Sequence, residues 1–374
     1  MTLLIGVMSG TSMDGIDAVL ARFSGDDQAP MVVEGHCHAE FTATLRQSLM
    51  DLNATGPDEL HRAALAANGV ADAYAGAVRQ LLSRCGKTAG QVRAIGAHGQ
   101  TVRHRPAEFD GRGYTVQLLN GALLAELSGI DVVCDLRSRD VAAGGQGAPL
   151  VPAFHAALWA TPGRSQAVLN VGGISNLSLL HEDGRVGGFD CGPGNALLDL
   201  WCERHQGTPF DDEGAWAASG AVSAQLLSRL LSDPYFDRAP PKSTGRDLFH
   251  AAWLDRILAE STVFDLPPED VQATLVELTA RSVARDLLRH APSAERMLVC
   301  GGGALNRHLM RRLQSLLPSL RVQPTDEAGL PALQVEAAAF AWLAQVHLEH
   351  LPGNRPEVTG ARGPRVLGAL YPGR

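Results

Sequence analysis

Short apolar runs that end in glycine-rich turns recur along this chain, and they predict strands. Residues Leu3 to Val7 form the first run, and Ser9 to Gly15 follow as a turn rich in Gly, Ser and Thr. Apolar and polar residues then alternate from Ile16 to Phe23. Such alternation on both sides of a glycine turn is typical of a β-hairpin. The chain is therefore expected to open with a strand–turn–strand unit.

The same unit appears again near the middle of the chain. Ala167 to Val171 is an apolar run, Gly172 and Gly173 follow it, and Ile174 to Leu180 form a second run. A recurring supersecondary unit points to internal repetition even where the letters do not align. We therefore predict a structural duplication, with one such hairpin opening each half.

The remaining pattern alternates between helix and strand. Further strands are predicted at 92–96, 130–135 and 296–300, and helical spacing of apolar residues covers 57–83, 273–288, 307–317 and 331–347. Alternating elements of this kind are typical of an α/β fold. We place the domain boundary near 130–140, which gives domains of 1–135 and 136–374. The tail from Leu351 is irregular, and whether it packs back on the first domain is not decided by the pattern.

The composition is that of a globular protein and argues against nucleic-acid-binding and membrane-spanning proteins. The chain has 374 residues, of which 45% are apolar and 19% charged, as in a globular protein with a sizeable core. A net charge of −8 argues against a nucleic-acid binder. Apolar stretches such as 151–160 are shorter than the ~20 residues that span a bilayer. With no basic segment at the start and no CxxC pair, we expect a cytoplasmic protein with reduced thiols and no membrane partner.

Glycine is in excess, at 40 residues, and its clusters suggest phosphate binding. A glycine turn exposes backbone N–H groups and lets an anion approach closely. The turns at 9–15, 172–173 and 301–303 could together hold the phosphates of one nucleotide between two domains, while Asp14 and Asp17 orient water around Mg²⁺. The alternative is that each cluster only makes a hairpin turn.

Two nucleotide motifs are excluded. Gly86-Lys-Thr88 lacks the earlier glycine of a P-loop, since Leu81 stands at that position. Gly301 to Asn306 breaks the dinucleotide-binding glycine pattern at its last position. Neither a P-loop phosphate-binding site nor a Rossmann dehydrogenase is expected.

Several longer motifs resemble one family, the anhydro-N-acetylmuramic acid kinases. They occur in the family's order over nearly the whole chain. They are Gly6-Val-Met-Ser-Gly-Thr-Ser-Met-Asp-Gly-Ile-Asp17, His98-Gly-Gln-Thr101, Arg139-Asp-Val-Ala-Ala-Gly-Gly-Gln-Gly-Ala-Pro-Leu-Val-Pro152, Asn170-Val-Gly-Gly-Ile-Ser-Asn176, Gly188-Phe-Asp-Cys-Gly-Pro-Gly-Asn195, Lys242-Ser-Thr-Gly-Arg246 and Cys300-Gly-Gly-Gly-Ala-Leu-Asn306.

The resemblance implies both a fold and a reaction. The fold is two actin-like, ribonuclease-H-like domains, each a mixed sheet flanked by helices, with an ATP cleft between them. The reaction uses ATP and Mg²⁺ to hydrolyse the 1,6-anhydro bridge of 1,6-anhydro-N-acetylmuramic acid and to phosphorylate O6, in peptidoglycan recycling and amino-sugar catabolism. Relatives suggest a homodimer.

The resemblance also assigns roles to residues, while leaving the direct metal ligands unassigned. Asp190 matches the catalytic base, which takes a proton from the water that attacks C1. His98, Arg139 and Glu336 match substrate contacts. The ATP contacts are Gly10, Thr11, Ser12, Met13, Asp14, Gly15, Ile16, Asp17, Gly172, Gly173, Gly301, Gly302, Gly303 and Asn306.

Some alternatives stay open at this stage. Asp190 could be a turn residue, His98 a hydrogen-bonded structural histidine, and Glu336 a solvated helix carboxylate. Asp135 and Asp140 are rival bases, which we expect to orient Arg139 or the loop instead. A different actin-fold sugar or carboxylate kinase, or a non-catalytic ATP-dependent sensor, are the competing functions.

Overall fold

The computed structural model describes residues 1–10, 13, 15–24, 31–245, 248–259 and 266–373, and their contacts divide into two compact units. Unit 1 comprises Met1–Leu158 and Gln334–Arg374, and unit 2 comprises Trp159–Leu333. The sequence-based boundary at 135/136 differs from this division, because residues 136–158 and 334–374 belong to unit 1. That boundary stays a prediction about domains.

The strands are short and mostly buried. In chain order they are β1 (Thr2–Met8), β2 (Ile16–Phe23), β3 (Met31–Ala39), β4 (Ala94–Ala97), β5 (Gln100–Pro106), β6 (Gly113–Leu118), β7 (Val132–Cys134), β8 (Gln166–Val171), β9 (Ile174–Leu180), β10 (Val186–Pro193), β11 (Arg296–Cys300), β12 (Arg321–Pro324) and β13 (Ala369–Tyr371).

The helices vary from one turn to seven. In chain order they are α1 (Ala43–Asp51), α2 (Glu59–Arg84), α3 (Gly121–Ser128), α4 (Ser138–Ala142), α5 (Val151–Trp159), α6 (Asn195–Gln206), α7 (Ala215–Ser219), α8 (Ala224–Leu231), α9 (Ala251–Ala259), α10 (Pro268–His290), α11 (Arg307–Leu316), α12 (Val335–Leu348) and α13 (Pro356–Thr359).

The main sheets of the two units share one strand order. In unit 1 the order is β3-β2-β1-β4-β7, with β13 beyond β7, and in unit 2 it is β10-β9-β8-β11-β12. Within each sheet the first three strands are antiparallel and the next two run parallel to the central one. The predicted duplication and the mixed α/β class are therefore confirmed.

Helices cover both faces of the unit 1 sheet because neighbouring strand residues point to opposite sides. Ile5 and Ile95 join a core with Tyr74 and Val78 of α2. On the other face, Leu4 and Ala94 pack with residues of α12. Gly6 and Gly96 pair in register, and a Cβ at either position would collide with the α12 backbone. These two glycines therefore set how closely α12 approaches the sheet.

The core of unit 2 lies between its sheet and α10, which is buried from Val271 to Leu287 except at Arg281 and Arg285. Val271, Leu275 and Leu278 are among the buried residues of this helix. Pro268 occupies its first turn, because proline fits where no N–H partner is needed. No helix formed by the described residues is long and apolar enough to cross a membrane.

Candidate functional site

Asp190 lies near the end of β10, beside a β-bulge between Asp190 and Gly192. Its carboxylate Oδ2 accepts a 3.0 Å hydrogen bond from the backbone N–H of Thr244, and its own N–H donates to the Lys242 carbonyl at 3.1 Å. The Tyr235 hydroxyl donates to the Asp190 carbonyl at 2.7 Å. The side chain is partly buried. Main-chain and side-chain contacts therefore hold this carboxylate in one place.

The environment of Asp190 favours proton uptake near neutral pH. Burial raises the pKa of its carboxyl to about 6, while the Thr244 N–H and the Lys242 ammonium lower it in part. A carboxylate with a pKa just below the working pH is largely ionised and still a useful proton acceptor. The site therefore has the property required of a general base.

Two glycine clusters of unit 2 meet at one sheet edge. Strands β8 and β11 are parallel neighbours with Asn170 opposite Cys300, so the turns that follow them lie together. Gly301 has a φ of +77°, and a Cβ there would collide with the Asn170 side chain. Gly303 is packed against Val171 in the same way. Glycine is thus required at both positions.

Backbone groups of the Gly172–Gly173 turn are occupied by the start of α6. The N–H of Asn195 donates to the Gly172 carbonyl at 2.8 Å, and the N–H groups of Gly194 and Ala196 donate to Gly173 at 2.9 and 3.1 Å. The first amides of α6 are therefore used within the protein. Any phosphate at this edge must be bound by other donors of the glycine turns.

The remaining predicted ATP contact of unit 2, Asn306, has a structural role as a helix cap. Its side-chain oxygen accepts the N–H of Leu309 at 2.9 Å and so caps α11. An N-cap of this kind satisfies one of the free N–H groups of the first helical turn. The amide nitrogen of Asn306 remains the part that could face a ligand.

In unit 1, the first glycine turn is described only in part. Met13 has a φ of +57° and donates its N–H to the Gly10 carbonyl at 3.1 Å. The Gln100 side chain also donates to the Gly10 carbonyl, at 3.0 Å. The predicted contacts Thr11, Ser12 and Asp14 lie outside the described residues.

At the far side of that turn, Gly15 and Ile16 lead into Asp17 on β2. His36 Nε2 and His38 Nδ1 donate to Oδ1 of Asp17 at 2.9 and 3.0 Å. Burial alone would raise the pKa of Asp17, but these two hydrogen bonds outweigh it and lower the pKa. The carboxylate is therefore ionised and oriented by two histidines.

His98 follows β4 and is held by both ring nitrogens. Nδ1 donates to the Ser9 carbonyl at 3.1 Å, and Nε2 accepts from Nη2 of Arg137 at 3.0 Å. Burial, together with the positive charge of Arg137, lowers the pKa of His98 to about 3. The ring is therefore neutral at pH 7 and fixed in one tautomer.

Arg137 ties His98 to the loop that follows α4. Its Nη1 donates to the Gly147 carbonyl at 2.8 Å. Burial lowers the pKa of Arg137 to about 10, although Glu336 and Asp140 act in the opposite direction. Glu336, in the first turn of α12, has a pKa raised by burial and partly restored by Arg137. Arg137, His98 and Glu336 thus form one electrostatically linked group.

Asp140 is fully buried and holds the same loop. Its Oδ1 accepts from the Asn354 side chain at 2.6 Å and from the Thr359 hydroxyl at 2.8 Å, and its Oδ2 accepts from the Gly147 N–H at 2.8 Å. Asp140 therefore orients the loop. Of the two roles expected from the sequence, orienting Arg139 or orienting the loop, the structure supports the second for this residue. Asp135 is exposed and accepts from the Ser138 hydroxyl at 2.5 Å.

The comparisons with known proteins agree with each other. A model of the family described as anhydro-N-acetylmuramic acid kinase matches residues 2–373. The chain belongs to the anhydro-N-acetylmuramic acid kinase family. This membership confirms the sequence-based family assignment and the prediction that the chain is a kinase.

Curated family members resemble this chain along its whole length. The kinase of Variovorax paradoxus is 59% identical over 375 residues and covers 99% of both chains. That of Cupriavidus pinatubonensis is 59% identical over 369 residues, 98% of both chains. The Bordetella pertussis kinase is 58% identical over 374 residues, 99% of this chain and 96% of the relative.

The fold is also similar to solved structures, at low scores. An activator of 2-hydroxyisocaproyl-CoA dehydratase from Clostridium difficile aligns with a TM-score of 0.48 and 11% identity over 91% of this chain and 93% of that chain. A similarity this weak says nothing about what the present chain binds.

Among the substrate contacts expected from the kinase family, Arg139 differs from the other two. It lies exposed on α4 and its side chain makes no hydrogen bond within the described part of the chain. The arginine next to His98 and Glu336 is Arg137, which the sequence reasoning missed. Arg137 and Arg139 cannot be told apart by their side-chain chemistry, and only the fold shows that Arg137 is the one bound to His98.

Sequence reasoning also missed what surrounds the expected kinase base. Tyr235 and Asp286 carried no signal of their own along the chain. Lys242 and Thr244 did carry one, since both belong to the family motif Lys242-Ser-Thr-Gly-Arg246. The structure places Lys242 within the core next to Asp190.

A cavity of about 600 Å³ in unit 1 contains none of these residues. It lies along the C-terminal half of α12, and Phe154, Trp342 and Arg355 are among the residues that line it. Glu336 is at the opposite end of the same helix. The cavity is therefore separate from the group around Arg137 that the kinase family leads us to examine.

Proposed function

We propose that this chain is an ATP-dependent kinase that opens the anhydro bridge of 1,6-anhydro-N-acetylmuramic acid and phosphorylates O6. Family membership supports the substrate, and the setting of Asp190 supports the chemistry. A carboxylate whose pKa is about 6 and which is oriented by Thr244 suits a proton acceptor. That observation carries the proposal.

In the proposed reaction, Asp190 takes one proton from a water molecule as the water oxygen bonds to C1 of the sugar. The C1–O6 bond breaks and its electron pair stays on O6. O6 then bonds to the γ-phosphorus of ATP, and the bond to the bridging oxygen breaks with its electrons on ADP. The products are N-acetylmuramic acid 6-phosphate, ADP and the proton on Asp190, which passes to solvent. This follows inverting glycosidases, in which a carboxylate activates water opposite the leaving oxygen.

The Thr244 hydroxyl is a second contact for that water. Its oxygen is buried and has no hydrogen-bond partner among the described residues. A buried hydroxyl without a partner is costly unless a water or ligand satisfies it. We propose that Thr244 orients the attacking water while Asp190 removes its proton.

We further propose that the substrate is held by Arg139 and Glu336, with His98 acting through Arg137. The exposed guanidinium of Arg139 matches a carboxylate such as that of the muramic acid lactyl group. Both nitrogens of His98 are engaged, so its contribution is to orient Arg137. Glu336 would accept hydrogen bonds from sugar hydroxyls or from the acetamido N–H.

For the nucleotide, the glycine turns of unit 2 fit the requirement. Asn170 has a buried side-chain oxygen that meets no donor among the described residues, next to Gly301, where no Cβ fits. An open glycine edge with an unsatisfied acceptor suits a ligand rich in donors and acceptors. We propose that Gly172, Gly173 and Gly301 to Gly303 contact ATP here, and that Gly10 to Asp17 supply the first phosphate turn.

Mg²⁺ is proposed as the accompanying ion. No three His, Cys, Asp or Glu side chains are arranged to hold a metal within the described ranges. Magnesium is usually bound by one or two carboxylates together with substrate phosphates. The histidine-oriented Asp17 suits such a partial site, where the ion neutralises phosphate charge. Cytoplasmic location and a homodimer stay predictions, and light scattering of the purified chain tests the second.

The experiment is mass spectrometry of the product formed from ATP, Mg²⁺ and 1,6-anhydro-N-acetylmuramic acid in ¹⁸O-labelled water. We expect one added phosphoryl group and one labelled oxygen on C1. A phosphorylated product without the label would mean an ordinary hydroxyl kinase, with no water for Asp190 to activate. ATP binding without any product would favour a different substrate or the sensor function.

A further inference from the structure

A buried ion pair lies directly beneath the proposed base. Lys242 Nζ is 2.8 Å from Oδ2 of Asp286 on α10, and their side chains are only 1% and 3% exposed. The ammonium also lies over the rings of Tyr235 and Phe189, 5.2 and 5.7 Å from their centres. Burying two charges costs free energy that apolar residues of similar size would not cost. Stability alone therefore does not explain why this pair is here.

The main chain of Lys242 connects the pair to Asp190. The Lys242 carbonyl accepts the Asp190 N–H, and two residues later the Thr244 N–H donates to the Asp190 carboxylate. The ring beneath the ammonium belongs to Tyr235, whose hydroxyl donates to the Asp190 carbonyl. Lys242 thus binds the Asp190 N–H through its own carbonyl, lies over the ring of Tyr235, and is two residues from Thr244 in the chain.

We propose that Lys242, anchored by Asp286, is a positioning residue for Asp190: it holds segment 242–244 against the carboxylate and supplies the compensating positive charge. The inference deepens the proposed function and rests on it. With Lys242 anchored, the Thr244 N–H stays on the carboxylate. With its charge present, the pKa of Asp190 is kept below the value that burial alone would give.

The other titratable groups around Asp190 leave Lys242 as the compensating cation. Burial raises the pKa of both Cys191 and Tyr235, and the charge of Asp286 adds to this, so both are protonated. Burial lowers the pKa of His290 on α10, which leaves it neutral at pH 7. Arg238 lies over the Tyr235 ring, 5.7 Å from its centre, and partly offsets the rise in the Tyr235 pKa.

Two sets of variants test the proposal by moving the charge in opposite directions. Lys242→Met/Asp286→Leu replaces the pair by apolar residues, a change that folds tolerate well. Asp286→Asn keeps the ammonium and removes its counter-charge. Glu277→Gln is the control, because Glu277 is a buried carboxylate on the same helix whose ion pairs are with Arg281 and Arg312.

The readouts are the acid limb of the kcat profile and a ¹³C NMR titration of the Asp190 carboxyl, assigned by its loss in Asp190→Asn. In the double variant, the midpoint of the acid limb and the midpoint of the NMR titration should both move to higher pH by about 0.5–1 unit, as expected when a nearby opposite charge is removed. Asp286→Asn should move both to lower pH. kcat should fall in the double variant by about tenfold or more, with KM for ATP unchanged.

The outcomes separate the two proposals. A double variant whose NMR titration coincides with that of wild type overturns the role of Lys242, as does a shift of the same sign in both variants or in Glu277→Gln. If the wild type forms no labelled product, the proposed function fails. The NMR titration still decides in that case whether Lys242 controls the ionisation of Asp190.

Discussion

The backbone N–H of Thr244 donates to Oδ2 of Asp190 at 3.0 Å, and this contact joins two motifs that lie fifty-four residues apart. The Asp-Cys-Gly-Pro-Gly-Asn and Lys-Ser-Thr-Gly motifs therefore meet at one carboxylate. One supplies a carboxylate, and the other donates a backbone hydrogen bond that orients it.

Replacing Asp190 by Asn should lower kcat by about 10²–10⁴, the usual contribution of a general base. The amide oxygen still accepts the Thr244 N–H, so the fold and ATP affinity should be kept. Steady-state kinetics with calorimetric titration of an ATP analogue measures both. Asp183→Asn, at an exposed turn carboxylate, is the control and should behave as wild type. Near-normal turnover of Asp190→Asn would remove the base from the mechanism.

The rate should depend on pH through the same carboxyl. A base with a pKa of about 6 is protonated at lower pH, so kcat/KM should fall about tenfold per pH unit below that value. A profile from pH 4.5 to 8.5 in a constant-ionic-strength buffer shows this limb. His98 does not contribute, since its pKa is lowered to about 3. A limb that persists unchanged in the residual activity of Asp190→Asn would assign it to another group.

Asp190→Asn should also stabilise the protein, increasingly as pH rises. Folding raises the pKa of this carboxyl from its ordinary 3.8 to about 6, so the folded state favours the protonated form. The protonated carboxyl therefore contributes to the free energy of unfolding, and this contribution is fully present below pH 3.8 and is lost as pH rises through 6. The variant avoids this loss, by roughly 1–3 kcal/mol at pH 8 and close to none at pH 4. Urea unfolding at both pH values measures it, and a gain independent of pH would contradict the sign.

Substitutions of Arg139, on α4, and of Arg137, at its N-cap, should have different effects: the first on sugar binding and the second on stability. Arg139→Ala should raise KM for the sugar and change the free energy of unfolding by no more than about 0.5 kcal/mol, as at an exposed position. Arg137→Ala should cost about 2–4 kcal/mol, because the His98 ring and the Gly147 carbonyl lose their donor. Denaturant unfolding and sugar kinetics on both variants test this. The reverse assignment of effects would make Arg137 the substrate contact.

Asp140→Ala should destabilise unit 1 by roughly 3–5 kcal/mol, since three buried donors lose one charged acceptor. The loop at Gly145 to Gly147 should become more mobile, and hydrogen exchange at Gly147 should rise. Asp135→Asn is the matched control, because that carboxylate is exposed and asparagine tolerates its φ of +55°. Equal effects of the two substitutions would contradict the structural role of Asp140.

Helices and strands were largely predictable where apolar periodicity was long and local. Helix α2 and the strand–turn–strand units were expected from their spacing, and the structure confirms both. The last long helix, α12, begins at Val335 instead of Pro331, because Ala332–Gln334 forms a 3₁₀ turn first. Ends of helices depend on how the preceding chain arrives, and periodicity does not report that.

The sequence by itself determined the local elements, the glycine turns, the carboxylate of Asp190 and the family of this kinase, because each is written in neighbouring residues or in a contiguous motif. Only the tertiary structure decided that Arg137 rather than Arg139 binds His98 and that Lys242 pairs with Asp286. It also decided that residues 334–374 return to unit 1. These are contacts between segments far apart in the chain, and burial chooses among similar side chains only once the segments have packed together.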